Sequence, residues 1–123
     1  MTIIEAINHI DELKPNGYSQ EDKILWLSRL DGRVKTEIIN THEGAEDSAF
    51  TGYTEETPLD TELLIPHPYD EVYGLWLEAQ ISFANGEYAR YNNSISSFNY
   101  AYQAYERFYH REHMPKGKKF NFF

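Results

Sequence analysis

The sequence predicts a mainly α-helical bundle of about four helices with one extended acidic loop, and three observations predict it. Apolar and aromatic residues recur three and four apart over most of the chain, which is the period of a helix and not of a strand. Capping and turn residues punctuate these stretches. One segment, residues 42–67, breaks the pattern, with seven acids, two glycines, two prolines and no Lys or Arg. A chain of 123 residues, 41% apolar and 15% aromatic, has the size and composition of one domain over 1–123 with a single core.

The first helix is expected over 3–13. Thr2 stands three residues before Glu5, the reciprocal spacing of a capping box, and Ile3, Ile4, Ile7 and Ile10 follow. Lys14-Pro15 and Asn16-Gly17 then stop it, because proline disfavours helix at the residue before it. Ser19, followed by Gln20, Glu21 and Asp22, opens a second helix over 19–40. Its apolar stripe, Leu27, Leu30, Val34 and Ile38, keeps phase across Asp31-Gly32. The glycine is therefore read as an interruption inside one helix, at a cost of about 1 kcal/mol.

An ordered loop as long as 42–67 is unusual in a compact domain. Ala49–Tyr53 and Glu62–Ile65 are candidates for a short β-hairpin within it. Phe50, Tyr53, Leu63, Leu64 and Ile65 are apolar members that need a surface to pack on, in this chain or in another. Pro66 and Pro68 lock an extended entry to a third helix over 69–91, through Trp76, Leu77 and Ile81. Asn85-Gly86 is one place for a break and Asn92-Asn93-Ser94 is another. The division is expected at the second, with a fourth helix over 94–113 carrying Ile95, Phe98, Tyr102, Tyr105 and Tyr109. Pro115 and Gly117 end it, leaving a basic aromatic tail over 115–123.

The net charge of -9 is unevenly spread. Residues 1–106 carry six Lys and Arg against nineteen acids, whereas residues 107–123 carry five against one. Affinity for phosphates comes from Lys and Arg, so the acidic body argues against wrapping duplex DNA, and no sequence-specific nucleic-acid binding is expected. The tail, with Lys116, Lys118 and Lys119 beside Phe120, Phe122 and Phe123, is expected either to dock on a partner or neighbouring copy or to fold its phenylalanines back on the chain's own core, ahead of stacking on nucleic acid. There is no cysteine, which removes disulfides and thiolate metal sites. No segment approaches the ~20 apolar residues that span a bilayer, and the start of the chain has no basic flank with a long apolar run, so a soluble, unexported protein is expected.

Chemistry is sparsely signalled. Glu106, His110 and His113 are four and three apart and share a helical face, but histidines near a helix carboxyl end are equally served by the dipole. His42 and His67 bracket the acidic loop, whose Glu43, Glu46, Asp47 and Asp60 lack the alternation of a calcium loop. There is no GxSxG elbow and no glycine-rich phosphate loop. The reading is a protein that is not an enzyme, with no catalytic residue, no metal and no cofactor. Its candidate residues for subunit or partner contact are Phe50, Tyr53, Leu63, Leu64, Ile65, Lys116, Lys118, Lys119, Phe120, Phe122 and Phe123.

Four runs carry a family likeness: TIIEAIxxIDxLKPN from Thr2, WLSxLDGxVKTEIIxTHEG from Trp26, LLIPxPYDExYxLWLEAQIxxANGEYxxYNN from Leu63, and HMPKGKKFxFF from His113. Over essentially the whole chain they resemble small proteins encoded in prophages of gut Firmicutes. Through size, helical order and the extended middle segment they resemble the head-tail connector, or head completion adaptor, family of tailed bacteriophages. The resemblance implies a structural subunit that forms a ring, typically of twelve copies, joining the portal to the tail and sealing the packaged head. It implies portal and tail or neck proteins as partners, and residence in the host bacterial cytoplasm and then the virion neck. Residues 42–67 and 115–123 are the segments that would reach neighbours. A small monomeric or dimeric helical binding module is the alternative.

Overall fold

The computed structural model describes residues 1–42 and 50–113, and Lys116, Lys118, Lys119, Phe120, Phe122 and Phe123 lie outside the described residues. Four α-helices form the body: α1 (Ile3–Leu13), α2 (Gln20–Arg33), α3 (Glu71–Ala84) and α4 (Tyr88–Glu112). The expected capping box opens α1, with Glu5 N–H donating to Thr2 Oγ1 at 3.2 Å and Thr2 N–H to Glu5 Oε1 at 3.0 Å. Ser19 caps α2 by accepting from Asp22 N–H at 3.1 Å. Beyond Arg33 the helix does not stop but changes pitch, through a π-turn over Val34–Ile38 and a 3-10 turn over Ile39–Thr41.

The expected boundary between the third and fourth helices is corrected. The break lies at Asn85-Gly86-Glu87 rather than at Asn92-Asn93-Ser94, and residues 88–93 belong to α4. Gly86 takes a φ of +77°, which glycine reaches without a Cβ penalty. Gly86 N–H then donates to the Phe83 carbonyl and Glu87 N–H to that of Ser82, the paired closure of a Schellman end. Asn92 and Asn93 are tolerated in α4 because they face solvent, while Ser94, Phe98, Ala101, Tyr102 and Tyr105 face inward.

The antiparallel hairpin of α3 and α4 forms one side of the bundle, and α1 and α2 pack on α3. The core takes Ile3, Ile7 and Ile10 from α1, Leu27, Leu30 and Val34 from α2, Val72, Leu77 and Ile81 from α3, and Phe98, Tyr102 and Tyr105 from α4. Lys23, almost fully buried, ties the first two helices by placing Nζ 2.8 Å from Asp11 Oδ1 and 2.9 Å from the Tyr18 carbonyl.

The short β-hairpin considered for the loop does not form among the described residues. Glu62 pairs instead with Thr2 in an isolated antiparallel bridge. The reason lies at the start of α1, where the first amides have no partner inside the helix. Ile3 N–H donates to the Thr61 carbonyl and Ile4 N–H to that of Leu59, both at 3.0 Å, while Leu63 N–H donates to the Met1 carbonyl. The orphan helix donors thus draw the segment around Glu62 onto the start of α1.

Candidate functional site

The loop from Phe50 to Ile65 is held onto the body at one buried point. Asp31, with no exposed surface, accepts from Tyr53 Oη–H at 2.5 Å, from Tyr73 Oη–H at 2.6 Å and from Leu64 N–H at 3.1 Å. Tyr73 Oη in turn accepts from Ile65 N–H at 2.8 Å. One carboxylate therefore joins α2, α3 and both ends of the loop. Burial raises the Asp31 carboxyl above its ordinary value, against the lowering by its three hydrogen bonds. Burial, then the charge and hydrogen bond of Asp31, lift the Tyr53 and Tyr73 phenols far above theirs.

This network decides where the loop's predicted contact residues go. Leu63 and Ile65 are buried in the chain's own core, and Leu64 and Tyr53 are half-buried against it. Phe50 is half-buried, edge-on to Tyr53 with ring centres 5.2 Å apart. Its ring passes directly over Gly32, where an added Cβ would meet Phe50 Cδ1 at 3.7 Å. Asp31-Gly32, read from sequence as an interruption of the helix, is thus the seat of the loop.

Gly52 sets the loop's path. Its φ is +85°, and an added Cβ would stand 2.8 Å from Ser28 Oγ, which itself accepts from Tyr53 N–H at 2.9 Å. Gly52→Ala is expected to cost about 2–3 kcal/mol, combining the left-handed backbone with a displaced Ser28 hydroxyl. A urea melt with an unchanged midpoint would contradict this placement.

Where the loop crosses the first turns of α2 it leaves an open groove of about 490 Å³ lined by Glu21, Ile24, Leu25, Tyr53, Thr54, Glu55 and Glu56. The floor is apolar: Ile24 is buried, whereas Leu25 stays 45% exposed. The rim is acidic. The negative charge of Glu55, and a hydrogen bond to it, raise the Glu21 carboxyl above its ordinary value, so the two carboxyls crowd one edge.

At the opposite end of α2 the histidines gather. His42, fully buried, sits with Nδ1 2.5 Å from the Ile38 carbonyl and Nε2 2.8 Å from His110 Nδ1. His113 stacks on Tyr109 with ring centres 3.9 Å apart. Thr41 Oγ1–H also donates to the Ile38 carbonyl, at 2.7 Å, so two side chains close the last turn of this helix. His67 is remote from this cluster in role, being almost fully exposed beside Asp70. Among the described residues no group of three or more His, Cys, Asp or Glu is arranged to hold a metal ion.

Arg33, the last residue of α2, reaches Glu37 Oε1 one turn further on at 3.0 Å. Its guanidinium also lies 5.1 Å from the ring centre of Tyr102 and 6.0 Å from those of Trp76 and Phe98. A separate aromatic patch, Phe83 with Tyr88 and Tyr91, stands at the turn between α3 and α4, where Phe83 is 56% and Tyr88 61% exposed.

Five of the ten tyrosines carry phenols raised by burial: Tyr53, Tyr73, Tyr102, Tyr109, and Tyr105 at about 12. A phenol whose folded value lies above its unfolded value of 10.0 contributes stability below pH 10 that is lost as pH rises further. Ultraviolet titration should therefore show these five tyrosines ionising only together with unfolding. Ionisation of all five before any loss of helical structure would contradict the burial.

The sequence reading named Asp31 as part of an interruption and His42 as a flank of the loop, but gave neither its buried place. Asp31 stands four residues after Leu27 and His42 four after Ile38, and that spacing is the signal of their burial.

Comparison with known proteins finds no matching family model, no matching curated protein and no matching solved structure. Among the described residues no helix is long and apolar enough to cross a membrane.

Proposed function

We propose that this chain is a structural ring subunit of the head-tail connector kind, joining a phage portal to the tail and sealing the packaged head, and that it is not an enzyme. The observation that supports this best is the pairing of unlike parts on one small helical body. The groove is acid-rimmed and apolar-floored, and the chain's last residues, Lys116 to Phe123, are basic and aromatic. A closed ring needs two different, complementary patches on every copy, repeated head to tail. The likeness of the four sequence runs to prophage proteins supplies the biological setting, the virion neck after assembly in the bacterial cytoplasm.

The test is capture of the purified full chain by the portal protein encoded beside it, followed by mass determination of the complex. A defined multimer of this chain on the portal is the expected result. A clean monomer at high concentration with no portal binding overturns the proposal. That outcome favours the second reading, a helical binding module, for which the exposed Phe83, Tyr88 and Tyr91 patch is the specific support.

A further inference from the structure

We infer that the acid-rimmed groove is the receptor for the terminal segment of a second copy of this chain, residues 116–123. The inference deepens the ring reading and rests on it. It starts from where the groove lies relative to the end of α4. Residues 33–42, which continue from α2, run side by side with the second half of α4 in the same direction. Arg33 lies beside Phe98 and Tyr102, Glu37 accepts from Tyr102 Oη–H at 3.3 Å, and His42 meets Tyr109 and His110. The described chain therefore ends, at His113, near the His42 end of α2. The groove occupies the other end, around Glu21 and Leu25.

Chain length then decides which copy can fill it. From Leu25 to His42 a helical rise of 1.5 Å per residue amounts to about 25 Å. An extended chain advances at most ~3.5 Å per residue, which carries Lys116 about 10 Å and Lys119 about 21 Å from His113. Lys116, even with its side chain extended, falls short of the acids of its own groove, so one copy cannot seat all three lysines on its own rim. A neighbouring copy has no such limit.

The chemistry of the two parts is complementary. Glu21, Glu55 and Glu56 form a rim for Lys116, Lys118 and Lys119, and Ile24, Leu25 and Tyr53 form a floor for phenylalanine rings. An arriving ammonium also relieves the crowding of the Glu21 and Glu55 carboxyls. Because the segment leaves one end of the body and docks at the other end of the next, the contact is heterologous and repeats around a ring.

The absence of cysteine makes the contact directly testable. Two full-length variants, Thr54→Cys and Asn121→Cys, keep the groove floor and all three phenylalanines. They are mixed on the portal and oxidised, and a disulfide forms only if the two Cα atoms approach within about 7 Å. A cross-linked pair of unlike chains is expected. Lys116→Glu, Lys118→Glu and Lys119→Glu together should lower its yield about tenfold at low salt, the sum of three exposed ion pairs. Glu21→Lys, Glu55→Lys and Glu56→Lys in the partner should restore it. A multimer of the correct mass without this cross-link overturns the groove as receptor and leaves the ring standing. Absence of any multimer overturns both. A cross-link within a double variant, Thr54→Cys with Asn121→Cys in one chain, but none between the mixed single variants, overturns the second copy as the source.

Discussion

Asp31→Ala is expected to destabilise the fold by about 3–5 kcal/mol, lowering the melting temperature by about 10–20 °C. The substitution leaves Tyr53 Oη–H, Tyr73 Oη–H and Leu64 N–H without their acceptor, that of Tyr73 fully buried and the other two half-buried, and opens a void between α2, α3 and the loop. Asp31→Asn keeps the volume and one acceptor oxygen and should cost much less, about 1–2 kcal/mol. The two variants also separate in their pH dependence. Burial raises the folded carboxyl above its unfolded value of 3.8, so the folded state binds the extra proton. The stability this site contributes is therefore complete below pH 3.8 and is lost as pH rises through the folded value. Asp31→Asn abolishes that component. Denaturant melts at stepped acidic pH check it, and a slope unchanged by Asp31→Asn would show that Asp31 does not titrate as its burial requires.

Phe98→Ala carries a comparable cost, about 3–5 kcal/mol, for a different reason. Phe98 is fully buried, its ring centre 5.0 Å from that of Trp76 and 5.4 Å from that of Tyr102, with the Arg33 guanidinium above it. Trp76 is itself held in place, since its Nε1–H donates to the Trp26 carbonyl at 2.8 Å. The site therefore collapses poorly around a missing ring, and the cavity term stays large. Loss of fewer than about 2 kcal/mol in a denaturant melt would mean that the stack relaxes into the space. Tryptophan fluorescence reports the same event locally, because Trp76 touches the ring that is removed.

These two sites mark the border of what the residues disclose. Phe98 was legible, since the stripe Phe98, Tyr102, Tyr105 is helical arithmetic and needs no partner to interpret. The capping box at Thr2 and Glu5 was legible for the same reason, because both members lie within one turn. Asp31 was legible as a helix position, since the stripe carries the helix across Asp31-Gly32, but its burial was not. What buries it is tertiary, two phenols and an amide from residues 53, 64 and 73. The choice between Asn85-Gly86 and Asn92-Asn93-Ser94 shows the same limit. Both are weak helix formers, and only the return of α4 along α3 selects the glycine, whose positive φ the reversal requires. For the loop, expected either extended or as a hairpin, no strand forms over 50–53 or 62–65, Ala49 lies outside the described residues, and Glu62 pairs instead with the start of α1, which is far away in sequence.

The contact between His42 and His110 has a direction. A carbonyl oxygen only accepts, so His42 Nδ1, set against the Ile38 carbonyl, carries the hydrogen. A neutral His42 then offers a lone pair at Nε2, which obliges His110 to donate from Nδ1 and leaves a lone pair at its own Nε2. The two rings form a relay with one polarity, from α4 through His42 into the last turn of α2. The Ile38 carbonyl thus decides, through His42, which ring nitrogen of His110 on α4 carries its hydrogen.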